Sequence, residues 1–293
     1  ELSGLIAGLG EGVSGFEIGQ RVGIEAEHLI GCGSCGWCQD GQYHICPDRG
    51  VRHGVRQSSH GYSQYDVCIA ENVTVLPDDV SFDAAALVDC YACGVHAINR
   101  VPDIAGQDIA IIGAGAIALT LGQVAKASGA AKVILIGTRQ QSVDVAVAAG
   151  SADVGVVSSS ADPVEAVMDV TGGDGAAVTF ETVGGQSQLI QQAVEMTRRG
   201  GVVSVLGLFT KPQTVDPVLA MEREISIQWS NSFSSWNSER EFSTALDLLV
   251  AGHLNVDPIV THHFGIDEID RAFAVTDDKR SSGAIRVIVQ PWT

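Results

Sequence analysis

Residues 108–118 read DIAIIGAGAIA. An apolar strand, Asp108–Ile112, runs into a glycine turn. Helical spacing follows, with Ile117, Leu121, Val124 and Ala125 on one face of a helix predicted over Ile117–Ser128. This is the GxGxxG/A pattern in the context it requires, after a strand and before a helix. Gly113 permits the tight turn. Gly115 lets the backbone approach a pyrophosphate, which Ala116 and Ile117 would meet with the helix N-terminus, and the small Ala118 lets helix pack on strand. The alternative is a plain packing turn in an Ala-rich chain, and only the neighbouring elements separate the two.

Those neighbours alternate. Lys132–Ile136 reads as strand, Ser142–Ala149 as helix ended by Gly150, Val154–Val157 as strand, and Pro163–Val170 as helix. Ala177–Glu181 is strand, Gln186–Met196 helix and Gly201–Gly207 strand. Strands and helices at this pitch imply βαβ units, an α/β fold with a doubly wound parallel sheet. Glu239–Ala251 adds an amphipathic helix and Ala284–Val289 a terminal strand. There is no internal repeat or low-complexity segment.

An NAD site places a carboxylate at the end of the second strand, for the ribose 2′-hydroxyl. Here the end reads Ile136-Gly137-Thr138-Arg139. A glycine leaves room, a hydroxyl can donate, and a guanidinium can meet a 2′-phosphate. This predicts NADP(H) over NAD(H). The competing reading of Arg139 is a solvated loop residue.

Cys32, Cys35, Cys38 and Cys46 lie in GCGSCGWCQDGQYHIC. Four thiolates at this spacing can close around one structural Zn²⁺; an iron–sulfur cluster is the competing metal. Cys68, Cys90 and Cys93 read as small buried hydrophobes.

The 293 residues carry 35 acidic and 17 basic side chains, a formal net charge of −18 that argues against nucleic acid or anionic membrane as partner. A 45% hydrophobic and 18% charged composition excludes a disordered chain. Ile109–Leu121, the most apolar stretch, falls short of the roughly 20 residues a spanning helix needs. An odd cysteine number in a chain this long does not suit a secreted disulfide framework, so a reducing, cytoplasmic setting is expected. Residue 1 is Glu and no targeting signal follows, so the chain is expected to be processed or part of something longer.

Together these pieces resemble the zinc-dependent alcohol dehydrogenases of the medium-chain dehydrogenase/reductase superfamily, over essentially the whole chain. The opening from Glu1 and Gly4 through Gly10, Gly12, Phe16, Gly19 and Arg21-Val22 is similar to the family segment from Gly-His-Glu to Gly-Asp-Arg-Val, with Gln20 in place of the Asp. Gly61–Tyr65 resembles the family's strand leading to the cofactor domain. Asp89, followed by Gly94, Val95 and His96, resembles the sorbitol and threonine dehydrogenase branch. Thr261-His262 and Gly283–Val287 resemble the closing segment. The likeness implies a GroES-like β-rich catalytic domain over 1–90 with a structural-zinc lobe at 31–47, a Rossmann cofactor domain over 91–230 and a return to the catalytic domain over 231–293. It also implies a start inside Gly-His-Glu, with two catalytic-zinc ligands upstream.

The resemblance also implies the chemistry: hydride transfer between NAD(P)(H) and a secondary alcohol or polyol, or its ketone, aided by a Lewis-acid zinc. It carries Glu1 and Asp89 over as candidate catalytic-zinc ligands; the alternative for Asp89 is the N-cap of a Cys90–Asn99 helix. It places Cys93, Val183, Leu206 and Gly207 on the nicotinamide side and Arg286 at the cofactor phosphates, where a surface arginine is the alternative. His96 and His262 read as structural. His28, His44, His53, His60, His253 and His263 carry no motif, although His60 could line the cleft; Arg52–Ser59 is a candidate specificity loop. Trp229–Trp236 falls where relatives pair edge strands, so a homodimer or homotetramer is expected. A zinc-independent enone or quinone reductase, or a non-catalytic cofactor- or metal-binding protein, are the alternatives.

Overall fold

The computed structural model describes residues 1–25, 31–49 and 61–292. The chain opens with β1 (Leu2–Leu5) and β2 (Arg21–Ile24), paired antiparallel; β3 (Val73–Val75) joins the far side of β2 in the same sense. Between β2 and β3 sits the cysteine lobe, with the short helix α1 (Gly36–Gln39) and a single 3-10 turn over Tyr43–Ile45. His28, His53, His60 and the Arg52–Ser59 loop lie outside the described residues. Gly61–Tyr65 forms no strand. Local bonds take its backbone instead: Gly61 N–H donates to the Asp66 carboxylate at 2.9 Å and Ser63 Oγ to the Tyr65 carbonyl at 2.8 Å.

The long helix α2 (Phe82–Asn99) follows. Ser81 caps it, accepting the Ala84 N–H at 3.1 Å. The sequence reading began this helix at Cys90 with Asp89 as its cap. The true start is about two turns earlier, because Ser81 supplies the cap and the run Ala84-Ala85-Ala86 carries the helix forward. Asp89 is therefore an interior residue of α2, and its capping role falls away.

The parallel sheet is built from β4 (Asp108–Ile112), α3 (Ala116–Ala127), β5 (Lys132–Gly137), α4 (Gln140–Ala148), β6 (Val154–Val157), α5 (Pro163–Val170), β7 (Ala176–Glu181), α6 (Ile190–Met196), β8 (Thr197–Val205), α7 (Pro217–Glu222) and β9 (Ser226–Trp229). Its spatial order is β6-β5-β4-β7-β8-β9, with every neighbouring pair parallel. The order reverses between β4 and β7, and in open sheets of this kind ligands bind outside the strand ends at that point. Strand alternation serves two cores. Ile109 and Ile111 face Leu87 and Tyr91 of α2 and Leu119 and Leu121 of α3, while Ala110 and Ile112 join Val167 of α5 and Ile190 and Val194 of α6. Both faces are covered, which explains the near-continuous apolar strands.

Elements in the second half of this sheet depart from the sequence reading. α6 begins at Ile190, not Gln186, because the preceding loop is held by Ser187 Oγ on the Gly184 carbonyl at 2.7 Å and by a bridge between Gly185 and Phe209. The strand expected at Gly201–Gly207 runs from Thr197 to Val205. The helix α7 and the sixth strand β9 were not foreseen, although Asp216-Pro217 is a capped start with Pro at the first helical position.

The remainder is a hairpin of β10 (Ser235–Trp236) and β11 (Glu239–Arg240), then α8 (Glu241–Val250), β12 (Val260–Gly265), α9 (Ile269–Asp277), α10 (Lys279–Ser282) and β13 (Arg286–Gln290), with β12 and β13 parallel. The last strand starts two residues later than Ala284, because Gly283 ends α10 in the left-handed conformation and Ala284 and Ile285 are buried beneath it. No helix among the described residues is long and apolar enough to cross a membrane.

Candidate cofactor cleft and metal lobe

The glycine turn stands where the sheet reverses. Gly113 has φ +128°, and a Cβ there would lie 2.2 Å from Thr182 Oγ1. Both conformation and space exclude any other residue. Gly115 is the N-cap of α3, and the position its Cβ would take meets nothing within 4 Å. The first turn of α3, with Ala116 and Ile117, thus faces open space with its N–H groups and positive dipole end, while Ala118 is buried against the sheet.

Across the reversal, Glu181 ends β7 fully buried. Its Oε1 accepts the N–H groups of Val183 at 2.8 Å and Gly184 at 2.9 Å, and its own carbonyl accepts Leu206 N–H at 2.8 Å and Gly207 N–H at 3.1 Å. One residue therefore ties segment 182–184 to segment 206–208. Packing is tight: a Cβ on Gly207 would meet Glu181 Oε2 at 2.2 Å. Burial pushes the Glu181 carboxyl up, against the pull of the Gly184, Val183 and Gly207 amides. Val183 is half-exposed at 51% beside this knot. Sequence reading passed over Glu181; the signal was a carboxylate at a strand end three residues before the Gly184-Gly185 pair.

At the end of β5 no carboxylate appears, as the sequence indicates. Gly137, however, does not open a pocket. A Cβ there would strike Val143 at 2.7 Å and Ala114 at 2.8 Å, so the glycine serves packing of the turn on α4. Thr138 is exposed, and Arg139 is the N-cap residue of α4. The Arg139 guanidinium donates to the carbonyl of Lys279 at the start of α10. It is tethered to the C-terminal segment and is no free loop residue.

α2 carries Asp89 and Cys93 four residues apart, on one helical face. β1 lies along this helix, with Ser3 Oγ on the Phe82 carbonyl at 2.7 Å. The Cys93 thiol is pushed well up by burial, then by the charges of Asp89 and Glu241. Cys90 is buried, whereas Cys93 and Cys68 are only partly so. Glu1 pairs with Arg286 at the start of β13; the structure thus brings these two predicted residues together, the arginine meeting a carboxylate. Buried Glu25 pairs with Arg240 at 2.7 Å. Burial raises its carboxyl, Arg240 opposes this, and the nearby charge of Asp89 adds to the rise.

The four lobe cysteines present their sulfurs within 4.8 Å of one another, and among the described residues they are the one such group of three or more donors. Individual separations are 3.5 Å for Cys35–Cys38, 3.7 Å for Cys35–Cys46 and 4.0 Å for Cys32–Cys38. A tetrahedral ion with metal–sulfur bonds of about 2.3 Å has edges of about 3.8 Å, so the lobe fits one ion. The N–H groups of Cys32 and Asp48 point at Cys46 Sγ, each at 3.4 Å, and that of Cys35 at Cys32 Sγ at 3.3 Å, which favours thiolates. Amide and hydroxyl donors of Ser34, with Cys35 N–H, bring Cys32 down to about 6.

Two family profiles match the chain: the alcohol dehydrogenase GroES-like domain over residues 1–78 and the zinc-binding dehydrogenase over 116–251. A sorbitol dehydrogenase of Halalkalibacterium halodurans is 32% identical over 294 residues, covering 99% of this chain and 82% of the relative. An L-threonine 3-dehydrogenase of Pyrococcus furiosus is 33% identical over 275 residues, 93% and 76% of the two chains. Among solved structures, a zinc-binding dehydrogenase of Sinorhizobium meliloti bound to NADP superposes with TM-score 0.84 at 26% identity, over 99% of this chain and 82% of that one.

Proposed function

The chain belongs to the zinc-type medium-chain alcohol dehydrogenases, and from that premise we propose that it moves a hydride between NADP(H) and a secondary alcohol or polyol, or the matching ketone. The observation that carries the reading is the Gly113–Ala118 turn, open at Gly115, at the reversal point of the parallel sheet. When bound, the nicotinamide cofactor supplies or takes up the hydride.

The chain's residues position the reactants. The first turn of α3 would receive the pyrophosphate. The Glu181 knot holds Val183 and Leu206-Gly207 as a fixed wall for the nicotinamide. Thr138 and Arg139 would bind the 2′-phosphate, the guanidinium being preset by Lys279. The NADP in the S. meliloti structure supports this choice without deciding it here. The lobe cysteines Cys32, Cys35, Cys38 and Cys46 would hold the structural zinc. Asp89 and Glu1 are the proposed oxygen donors toward a catalytic zinc. These are two of the three protein ligands such a site takes, and a zinc held there would act as a Lewis acid on the substrate oxygen. Cys93, beside Asp89 on α2, would line the same cleft, and Arg286, engaged by Glu1, would neutralise charge there.

The sorbitol and threonine dehydrogenases it resembles suggest a vicinal diol or amino alcohol as substrate. A panel of polyols, amino alcohols and simple secondary alcohols, each with NADP⁺ and NAD⁺, tests the reading. Oxidation of a secondary alcohol with a lower KM for NADP⁺ is expected; turnover only of enones or quinones would refute it. The sixth strand β9 leaves an open edge where Trp229 is 57% exposed, and we read this edge as a homodimer seam, further pairing giving a tetramer. Light scattering of Trp229→Lys, expected to be monomeric, tests that. Seven cysteines without a disulfide suit a reducing cytoplasm.

A further inference from the structure

We propose that the four-cysteine lobe positions the Asp89–Cys93 face of α2, and that His44 is the residue through which it does so. The inference rests on the reading of Asp89 and Cys93 as site residues.

The geometry begins inside the lobe. The 3-10 turn Tyr43–Ile45 runs directly into the fourth cysteine, Cys46. Metal closure of the lobe therefore fixes where this turn points. His44 is buried, and its ring stands edge-on to that of His96 with centroids 4.7 Å apart. His96 lies on α2 seven residues after Asp89 and three after Cys93, so all three share one helical face. The far side of His96 is fixed as well. Its Nδ1 donates to Glu241 Oε2 at 2.7 Å, and the same carboxylate, at the start of α8, accepts Asn99 Nδ2 at 2.9 Å and Ser234 N–H at 2.8 Å. The His96 ring is thus clamped between a carboxylate on α8 and an imidazole from the lobe.

Two further contacts seat the lobe. Gly41 accepts Ser235 N–H of β10 at 3.1 Å. Tyr43 lies beside Glu25 and Arg240; burial and the Glu25 charge push its phenol up to about 12. One short turn hence reaches two buried carboxylate nodes, Glu25 and Glu241, whose charges act on the Asp89–Cys93 face: Asp89 is felt by Glu25, and Glu241 by Cys93. Without His44 the lobe keeps its four sulfurs but loses its hold on α2.

Hydrogen exchange read by mass spectrometry tests this, with zinc content measured in parallel. Zinc release by a strong chelator, which leaves the Cys90 and Cys93 thiols of α2 unmodified, is expected to raise exchange in peptides from α2 and the start of α8 about fivefold, with α3 unchanged. His44→Ala, with its lobe zinc still bound, should show the raised α2 exchange already, and zinc release should add little. His44→Phe, which keeps the ring, should restore protection, and serves if the alanine variant does not fold. In turnover, His44→Ala should lower kcat while the Kd for NADPH stays unchanged; general loosening would move both. Exchange changes confined to residues 31–49 on zinc release, or wild-type α2 protection in His44→Ala, would overturn the proposal. Asp89→Asn with unaltered turnover would instead refute only the site reading, since α2 could still answer to the lobe.

Discussion

Replacing Arg139 by Asp puts at the end of β5 the carboxylate that an NAD site would carry there. The guanidinium stands at the N-cap position of α4 and donates to the Lys279 carbonyl. Its remaining N–H groups are available to a phosphate, and charge-assisted bonds of this kind contribute about 1.5–3 kcal/mol. At about 1.4 kcal/mol per tenfold, Arg139→Asp should weaken NADPH by roughly 10- to 150-fold. Repulsion between the new carboxylate and the phosphate adds to that loss. NADH has no 2′-phosphate and feels only the released tether, a bond made to a protein carbonyl and not to the cofactor. Its affinity should change little, or rise if the new carboxylate accepts the ribose hydroxyl.

Nicotinamide fluorescence titration with both reduced cofactors, at low and moderate salt, measures the ratio. It should shift toward NADH by at least about tenfold, and the salt dependence of NADPH binding should flatten in the variant. Arg139→Lys should fall between, because an ammonium keeps the charge and loses the planar fork. Equal weakening of both cofactors would refute the assignment and leave Arg139 as an anchor for α10 alone.

Glu181→Gln keeps an acceptor for Val183 and Gly184 but removes its charge; losing roughly 1 kcal/mol at each of two bonds, it should lower Tm by several degrees and raise the Kd for both cofactors alike, as calorimetry and titration would show. Cys46→Ser should cost the lobe its metal by elemental analysis and lower Tm, without altering the NADPH/NADH ratio. Burial pushes the Glu241 carboxyl up, but the His96, Asn99 and Ser234 donors outweigh this and hold it below its ordinary 4.5. A depressed carboxyl adds stability above its unfolded value and loses it as pH falls through the folded one. Thermal melts below about pH 4.5 should therefore fall more steeply in the wild type than in Glu241→Gln, and parallel curves would contradict the pairing.

The central sheet was legible because each strand is short, apolar and bounded by its own turn signal. Asp108–Ile112 ends where its apolar run ends, since burial on both faces leaves nothing else to set its limits; Val154–Val157, an edge strand buried only at Val156, is bounded by the turns on either side of it. The errors fall where local chemistry and tertiary contacts compete. α2 was cut short because Asp89 resembles a cap, and the stronger signal, Ser81 before an alanine run, lies upstream. β9 went unseen because a two-residue alternation in Ile225–Trp229 carries little weight until β8 is there to pair with it.

The cysteine lobe was legible for a different reason. Metal ligation demands residue types that rarely cluster by accident, so the four sulfurs announce their partnership in sequence. Glu181 and His44 had no such signature. A buried carboxylate that gathers backbone amides, and a histidine whose partner is another ring, are defined by what folds around them. Gly137 teaches the same lesson in reverse. Its sequence position suggested room for a phosphate, yet Val143 and Ala114 occupy that room, so on the proposed NADP(H) reading selectivity would rest on Thr138 and the tethered Arg139. On that reading cofactor choice would be linked to the C-terminal segment, because the carbonyl that holds the guanidinium belongs to Lys279, one residue before Arg280 and a short helix away from Arg286. A change in α10 should then shift NADPH affinity without touching the glycine turn. Gly283→Ala, which strains the left-handed end of α10 and so moves the segment that carries that carbonyl, should weaken NADPH more than NADH, whereas an equal change would place the tether outside the binding site.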